Sequence, residues 1–319
     1  MSDMSTKKRI AGTAALLTAA AAATVAGAYY GYWEAFRKDE KRQAPVDEIP
    51  EGNAYAPYRE KMLENIGKLM EAPYERVAVR SYDDLRLVGK LYEGEPGAPL
   101  ILFFHGYRST AERDASGGFQ LCREKGWHIL MVDERALGES EGKEITFGIR
   151  ERFDCQTWAE YAAKRFGPET PIFIWGISMG ASTVLMASEL PMPESVKGIV
   201  ADCGFDTPSA IIKETARRRK MPAELSGWFV GLGARIFGGF RMDEASALDS
   251  VTRARLPILL VHGEADEIVP FEMVYAIKES CASPVEILTV PGAAHGISWY
   301  VDMPTYQEAL IRFMEENMQ

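Results

Sequence analysis

The chain has 319 residues, 36 Lys and Arg against 46 Asp and Glu, a formal charge of −10, and 47% hydrophobic and 26% charged residues. These are the proportions of an ordinary folded protein and exclude a disordered tail, a collagen or a disulfide miniprotein. The acidic balance, with no basic region on the globular part, repels phosphate backbones and excludes nucleic-acid binding as a primary role.

The first element is an uncharged run from Ile10 to Trp33, opened by Lys7-Lys8-Arg9 and closed by Glu34. As a helix rising about 1.5 Å per residue it reaches across a hydrocarbon core of roughly 30 Å. Tyr29, Tyr30, Tyr32 and Trp33 cluster at one end as an interfacial belt does. Two readings compete with a membrane anchor: a signal peptide cleaved after Ala28, where Ala26-Gly27-Ala28 gives a small-x-small site, and an Ala-rich soluble helix. Basic residues flank the run on both sides, with Arg37, Lys38, Lys41 and Arg42 following it, so they do not fix its orientation. The expectation is a single anchor over residues 1–36 with the catalytic domain outside the cytoplasm, or a secreted protein where cleavage occurs.

Residues 37–57, charged and punctuated by Pro45, Pro50, Gly52 and Pro57, read as a linker. Residues 58–319 read as one domain. A short helix near Tyr58–Met70 precedes a β-hairpin, Val77–Val79 and Leu85–Tyr92 about Tyr82-Asp-Asp84. Compact apolar runs follow at Leu100–Phe104, Ile129–Val132, Ile172–Trp175, Val196–Ala201, Ile258–Val261 and Val285–Val290. Runs of that length with almost no charge suit strands buried on both faces of a sheet. Helical patterns such as Arg150–Arg165 and Met179–Glu189 lie between them. Alternating strands and helices imply right-handed crossovers and a mostly parallel, doubly wound α/β sheet. The interval from Ala201 to Ile258 exceeds fifty residues, too long for a simple connection. It reads as a helical cap insertion over about 206–250, basic at Arg217–Lys220 and apolar through Leu225–Phe240.

The sharpest chemical signal is Gly176-Ile177-Ser178-Met179-Gly180, placed between a strand and a helix pattern. A serine on such a turn has strained backbone and an exposed hydroxyl, and the glycines let neighbouring chains approach; Ser178 is the candidate nucleophile. It needs a base, and the chain has four histidines. His105 and His262 each end a buried strand before a Gly, and His128 begins one, so structural roles suit them. His295, in the glycine-flanked loop Pro291–Gly296 after the final strand, is the base by elimination and position. The acid that fixes its tautomer is read as Asp266, just past Ile258–Val261; Asp202 and Glu264 are the alternatives. The oxyanion donors are read as the backbone N–H groups of Met179 and Tyr107. The cysteines, Cys122, Cys155, Cys203 and Cys281, are far apart and lack a C-x-x-C pair, so unpaired buried thiols are expected rather than a zinc site or a disulfide framework. Phosphate-cradling, metal and flavin motifs are lacking too, and neither cofactor nor metal is expected.

His105-Gly106, Asp133–Ser140, Gly176–Gly180, Gly263–Asp266 and His295-Gly296 occur in the order of the α/β-hydrolase superfamily. Over about residues 74–317 the chain resembles its Bem46-like, serine-aminopeptidase-like members, many of them membrane-anchored. One departure stands out: Ala136 replaces the first Gly of D-x-R-G-x-G-x-S. The expectation is a serine hydrolase of esterase or lipase-like type acting on a small ester or acyl substrate, with Trp228, Phe229, Ile236, Phe237 and Phe240 as an acyl-binding lid. A peptidase or amidase of the same fold and a non-catalytic, membrane-tethered binding module are the other readings.

Overall fold

A computed structural model describes residues 2–318, with side chains from Ile10 onward. The basic Lys7-Lys8-Arg9 opening lies outside the described side chains. Two compact units form: the chain up to Arg37 with Ile212–Met242, and Lys38–Ile211 with the chain from Asp243 onward.

In the smaller unit, α1 (Ser2–Ala35) is the long N-terminal helix. Its stretch Ile10–Ala35 is long and apolar enough to cross a membrane by length and composition.

The larger unit begins with α2 (Arg59–Glu71) and the hairpin β1 (Glu75–Arg80) and β2 (Arg86–Tyr92). Then come β3 (Leu100–Phe104), α3 (Ala111–Glu124), β4 (His128–Val132), α4 (Glu151–Phe166), β5 (Ile172–Ile177), α5 (Met179–Ala187) and β6 (Val196–Asp202). Next, α6 (Pro208–Arg218) leads into the insertion. The helix α7 (Ala223–Gly233) and a π-helical turn at Ala234–Gly238 follow it. The chain re-enters through α8 (Ala247–Ser250), β7 (Ile258–Gly263), α9 (Glu272–Ser280), β8 (Val285–Val290), α10 (Ser298–Val301) and α11 (Met303–Asn317).

The sheet has eight strands in the order β1-β2-β4-β3-β5-β6-β7-β8. The hairpin and the β2–β4 pair are antiparallel; β4 through β8 run parallel. Alternation along one strand explains the uninterrupted apolar runs. Leu100, Leu102 and Phe104 enter the core beneath α4, α5 and α9, whereas Ile101 and Phe103 enter the core beneath α3 and α11. Both faces of β3 are covered, so none of its positions favours a polar side chain. Because β3 to β8 are parallel and in register, with Phe104 opposite Gly176 and Ile177 opposite Asp202, their carboxyl ends form a single edge. The loops after β3, β5, β7 and β8 converge there.

The smaller unit is built on close helix approach. A Cβ on Gly233 would lie 2.1 Å from the Ala28 carbonyl oxygen, one on Gly31 would lie 3.1 Å from Val230 Cα, and one on Gly27 would strike the Phe229 ring. Glycines let the two backbones meet where any side chain would hold them apart, as small-x-x-x-small faces do in membranes. Phe36 on Phe240 and Tyr29 on Phe237 close the seam edge-to-face, with ring centroids 5.0 and 5.2 Å apart.

Two substitutions separate crowding from conformational preference. A Cβ on Gly180 would fall 2.2 Å from the Phe104 carbonyl oxygen, and that backbone belongs to a buried strand. Gly180→Ala should therefore destabilise by more than about 3 kcal/mol in urea unfolding. Ala136, where the superfamily pattern has Gly, sits at φ 64°. Relieving that left-handed strain is worth about 1–2 kcal/mol. The lost buried methyl costs about 0.8 kcal/mol, and the freer unfolded chain about 0.4–1 kcal/mol. Ala136→Gly should thus shift stability by less than about 1 kcal/mol; a larger gain would refute this balance.

Candidate active site

Ser178 occupies the turn between β5 and α5 at φ 57° and ψ −116°. A non-glycine residue there is strained and persists only where its surroundings over-determine it. They do so through crowding and through hydrogen bonds. A Cβ on Gly176 would lie 2.2 Å from the Gly180 carbonyl oxygen, so both flanking glycines are required by backbone contact. The Ser178 N–H donates to the Asp202 carbonyl at 2.8 Å, tying the turn to the end of β6.

The hydroxyl meets the loops that follow the last two strands. His295 Nε2 lies 2.8 Å from Ser178 Oγ, and His295 Nδ1 lies 2.7 Å from Asp266 Oδ2. The other carboxylate oxygen, Asp266 Oδ1, accepts from the N–H groups of Ile268 at 2.8 Å and Val269 at 2.9 Å. The carboxylate is thereby fixed from both sides. Burial pushes Asp266 up, but the charge on His295, hydrogen bonds from His262 and His295, and the Val269 N–H outweigh it and hold the carboxyl well below the usual range. Burial pushes His295 down, yet the adjacent carboxylate wins and leaves the imidazole more basic than an ordinary histidine. A hydroxyl in contact with such an imidazole can pass its proton to Nε2, while Asp266 holds Nδ1–H and stabilises the cation that forms.

The loop after β3 runs beside the same hydroxyl. A Cβ on Gly106 would be 3.3 Å from Ser178 Cβ, so the backbone leading into Tyr107 passes directly over the serine. The position of this loop is enforced by Asp114 in the first turn of α3, which accepts from Gly106 N–H at 2.7 Å and Ser109 Oγ at 2.6 Å. Met179, on the other side, is the first residue of α5, where amides have no intrahelical acceptor. Beyond it the Tyr107 ring stacks on Phe147 at 4.8 Å, and Phe147 meets Phe205 at 6.1 Å.

The remaining candidates have other partners. Asp202 is buried, accepts from Tyr306 OH at 3.0 Å, and is pushed up to about 6 chiefly by burial. Glu264 accepts from Thr289 at the surface. His105 bridges Gly106 O and the Glu134 N–H, and His128 accepts from Gly94 N–H. His262 is fully buried, contacts the Val269 carbonyl, and lies 3.4 Å from Asp266 Oδ2, so it buttresses the carboxylate. Ligand atoms of Cys203, Asp266 and His295 lie within 4.8 Å of one another. Those of Asp266 and His295 are already spent on each other, and burial raises the Cys203 thiol well above its ordinary value. A neutral thiol is a poor metal ligand, so the chemistry of this donor set fits a proton relay better than a metal centre.

The reading of residues 37–57 as a linker leaves out that 38–57 belong to the larger unit and contact its loops. Ala44 N–H donates to the Arg108 carbonyl, Gln43 spans from the Ser109 carbonyl to the Gly138 N–H, and Tyr55 OH donates to the His295 carbonyl at 3.0 Å. Ile49 and Tyr55 also pack with Ala294 and Ile297. The segment is a strap across both loops that flank Ser178. Its apolar residues are too sparse for any periodicity, although Ile49 and Tyr55 in an otherwise charged stretch are the one available signal.

The prolyl oligopeptidase family profile matches residues 119–319, which include Ser178, Asp266 and His295 but not the loop after β3. The uncharacterized protein YqkD of Bacillus subtilis is 24% identical over 61% of this chain and 64% of its own length. Lysophosphatidylserine lipase ABHD12 of Danio rerio is 27% identical over 55% of this chain and 45% of its own. The chain thus spans less than two thirds of either relative. Protein bem46 of Schizosaccharomyces pombe is 23% identical over 76% of this chain and 77% of its own length. Among solved structures, the Pyrococcus furiosus esterase Pf2001 superposes with a TM-score of 0.65 at 23% identity, covering 79% of this chain and 94% of that one. With the fold, the strand–turn–helix setting of Ser178 and the family match in agreement, the chain belongs to the prolyl oligopeptidase family and has the α/β-hydrolase fold.

Proposed function

We propose that this protein hydrolyses carboxylic esters through an acyl-enzyme, with Ser178 as nucleophile, His295 as general base and acid, and Asp266 as the carboxylate that orients His295. The observation that carries the reading is the unbroken series from Ser178 Oγ through His295 to Asp266 Oδ2, at 2.8 and 2.7 Å. Ser178 Oγ attacks the ester carbonyl carbon and its proton passes to His295 Nε2. The oxygen of the tetrahedral intermediate is held by the N–H groups of Tyr107 and Met179, and the leaving alkoxide departs with the His295 proton. Water, deprotonated by His295, then attacks the acyl carbonyl and frees Ser178 with release of the acid. The Tyr107–Phe147–Phe205 aromatic row suits an apolar acyl group. In this reading α1 tethers the enzyme to a membrane, and its substrate is an amphiphilic ester. Two similar proteins, a lysophosphatidylserine lipase and an esterase, have names that agree with that class.

The family match supports a second reading, amide or peptide hydrolysis by the same residues. A panel of p-nitrophenyl esters from acetate to decanoate, run beside peptide p-nitroanilides, decides between them. Ester turnover that rises with chain length favours the first reading, and faster anilide cleavage the second. A fluorophosphonate probe should label the wild type and not Ser178→Ala, whose turnover should fall by roughly 10⁴–10⁶-fold; equal labelling of both would end the proposal.

The basic shift of His295 fixes a pH dependence. The imidazole accepts the serine proton only when neutral, so its raised pKa means activity present at high pH is lost as pH falls through that value. The acid limb of kcat/KM should have its midpoint above the ordinary 6.5. Asp266→Asn should move it down while lowering kcat by roughly 10⁴-fold. A wild-type midpoint below 6.5 would contradict the assignment.

A further inference from the structure

The smaller unit presents an apolar surface that its own packing does not cover. From Leu225 to Ala234 the chain is uncharged. Gly233, Phe229, Val230 and Phe237 turn toward α1. Leu225, Trp228 and Ile236 point away from it at helical spacing and are about half exposed, at 54%, 53% and 52%. A helix apolar on both sides, with one side spent on a partner, leaves the other to be covered. The contacts with α1 also set a depth. They fall between Gly27 and Phe36, the same turns that bear Tyr29, Tyr30, Tyr32 and Trp33. Those aromatic residues end the stretch long and apolar enough to cross a membrane, where an interfacial belt belongs. The charge pattern agrees: Arg217, Arg218, Arg219 and Lys220 are exposed just before α7, and Arg235 and Arg241 are exposed at its far end. Cations bracketing an apolar helix suit an anionic headgroup layer.

We propose that α7 and its π-turn form a membrane-seated helix, clamped to the last turns of α1 by the glycine seam, with Leu225, Trp228 and Ile236 immersed at the acyl boundary of an anionic phospholipid leaflet. The insertion is then a second point of membrane attachment rather than a lid moving in water. The inference rests on α1 lying in the bilayer, and the experiment separates the two claims.

Full-length protein with Cys281→Ser is reconstituted in phosphatidylcholine vesicles containing a minor share of phosphatidylglycerol. Nitroxides are attached singly at Leu17→Cys, Trp228→Cys, Ile236→Cys and Glu272→Cys, and collision with oxygen and with a water-soluble nickel chelate is measured. The oxygen-to-nickel ratio at 228 and 236 should be several-fold above that at 272 and should approach that at 17. A bilayer signature at 17 with water-like values at 228 and 236 overturns the proposal and leaves the α1 reading standing. Water-like values at all four sites remove both. Low oxygen contact with strong spin–spin broadening at 228 would place a second copy of the chain on this face, which also overturns it. Two label sites on the helix keep the test decisive should one variant fail to fold.

Discussion

The packing of backbone against backbone around Ser178 is the constraint from which the site follows. Gly176, Gly180 and the end of β3 meet at distances no side chain permits, and the Ser178 N–H is committed to Asp202 O. Within that frame the serine has one conformation open to it, at positive φ, and its hydroxyl is aimed at the shared carboxyl edge. The strain, of order 1–3 kcal/mol, is met by the surrounding sheet, whose strands are buried on both faces and cannot yield locally. Rigidity of the core and exposure of the hydroxyl are therefore consequences of one packing arrangement.

Around that point the site is assembled from loops held by carboxylates. Asp266 fixes His295 from the β7 side, and Asp114 fixes the backbone over the serine from the β3 side. Each uses both of its oxygens, so neither loop can turn without leaving a carboxylate unpartnered and largely out of water, at about 1–3 kcal/mol or more. The strap adds a third tie through Ala44 and Tyr55, reaching both loops at once. Main-chain and carboxylate contacts, rather than apolar burial, thus define where Ser178 and His295 stand.

This division explains what the amino-acid sequence discloses. A strand buried on both faces leaves an apolar run such as Leu100–Phe104, and its bounds are readable to the residue; the half-buried edge strand Val285–Val290 is read to the residue as well, although it carries Glu286 and Thr289. The elbow is readable because strain and crowding both demand glycine two positions to either side of Ser178. His295 is readable by elimination among four histidines. Asp114 and Tyr55 are not, because each acts through a backbone group distant in sequence, and no local pattern marks such a contact. The pairing of α1 with α7 was open to a different reading. Gly27-x-x-x-Gly31 marks the α1 side, but on α7 the close approach falls at Val230 and Gly233, while Gly227 and Gly231 face Lys213 and Met242, and aromatic residues in an insertion suggest a lid more readily than a helix partner.

Charge gives the last step. At −10 overall, the protein as a whole gains nothing from an anionic surface, and diffuse electrostatics would keep it in solution. Any residence at a membrane must then come from burial of apolar area, roughly 25 cal/mol for each Å², concentrated where charge is locally reversed. The smaller unit has both properties: a long apolar helix, and an apolar face bracketed by Arg217–Lys220 and Arg235. An enzyme acting on an amphiphilic ester benefits from this separation. On the proposed reading, the local cationic, apolar surface is what would hold the protein where such esters concentrate, while the acidic remainder gains nothing from the same leaflet.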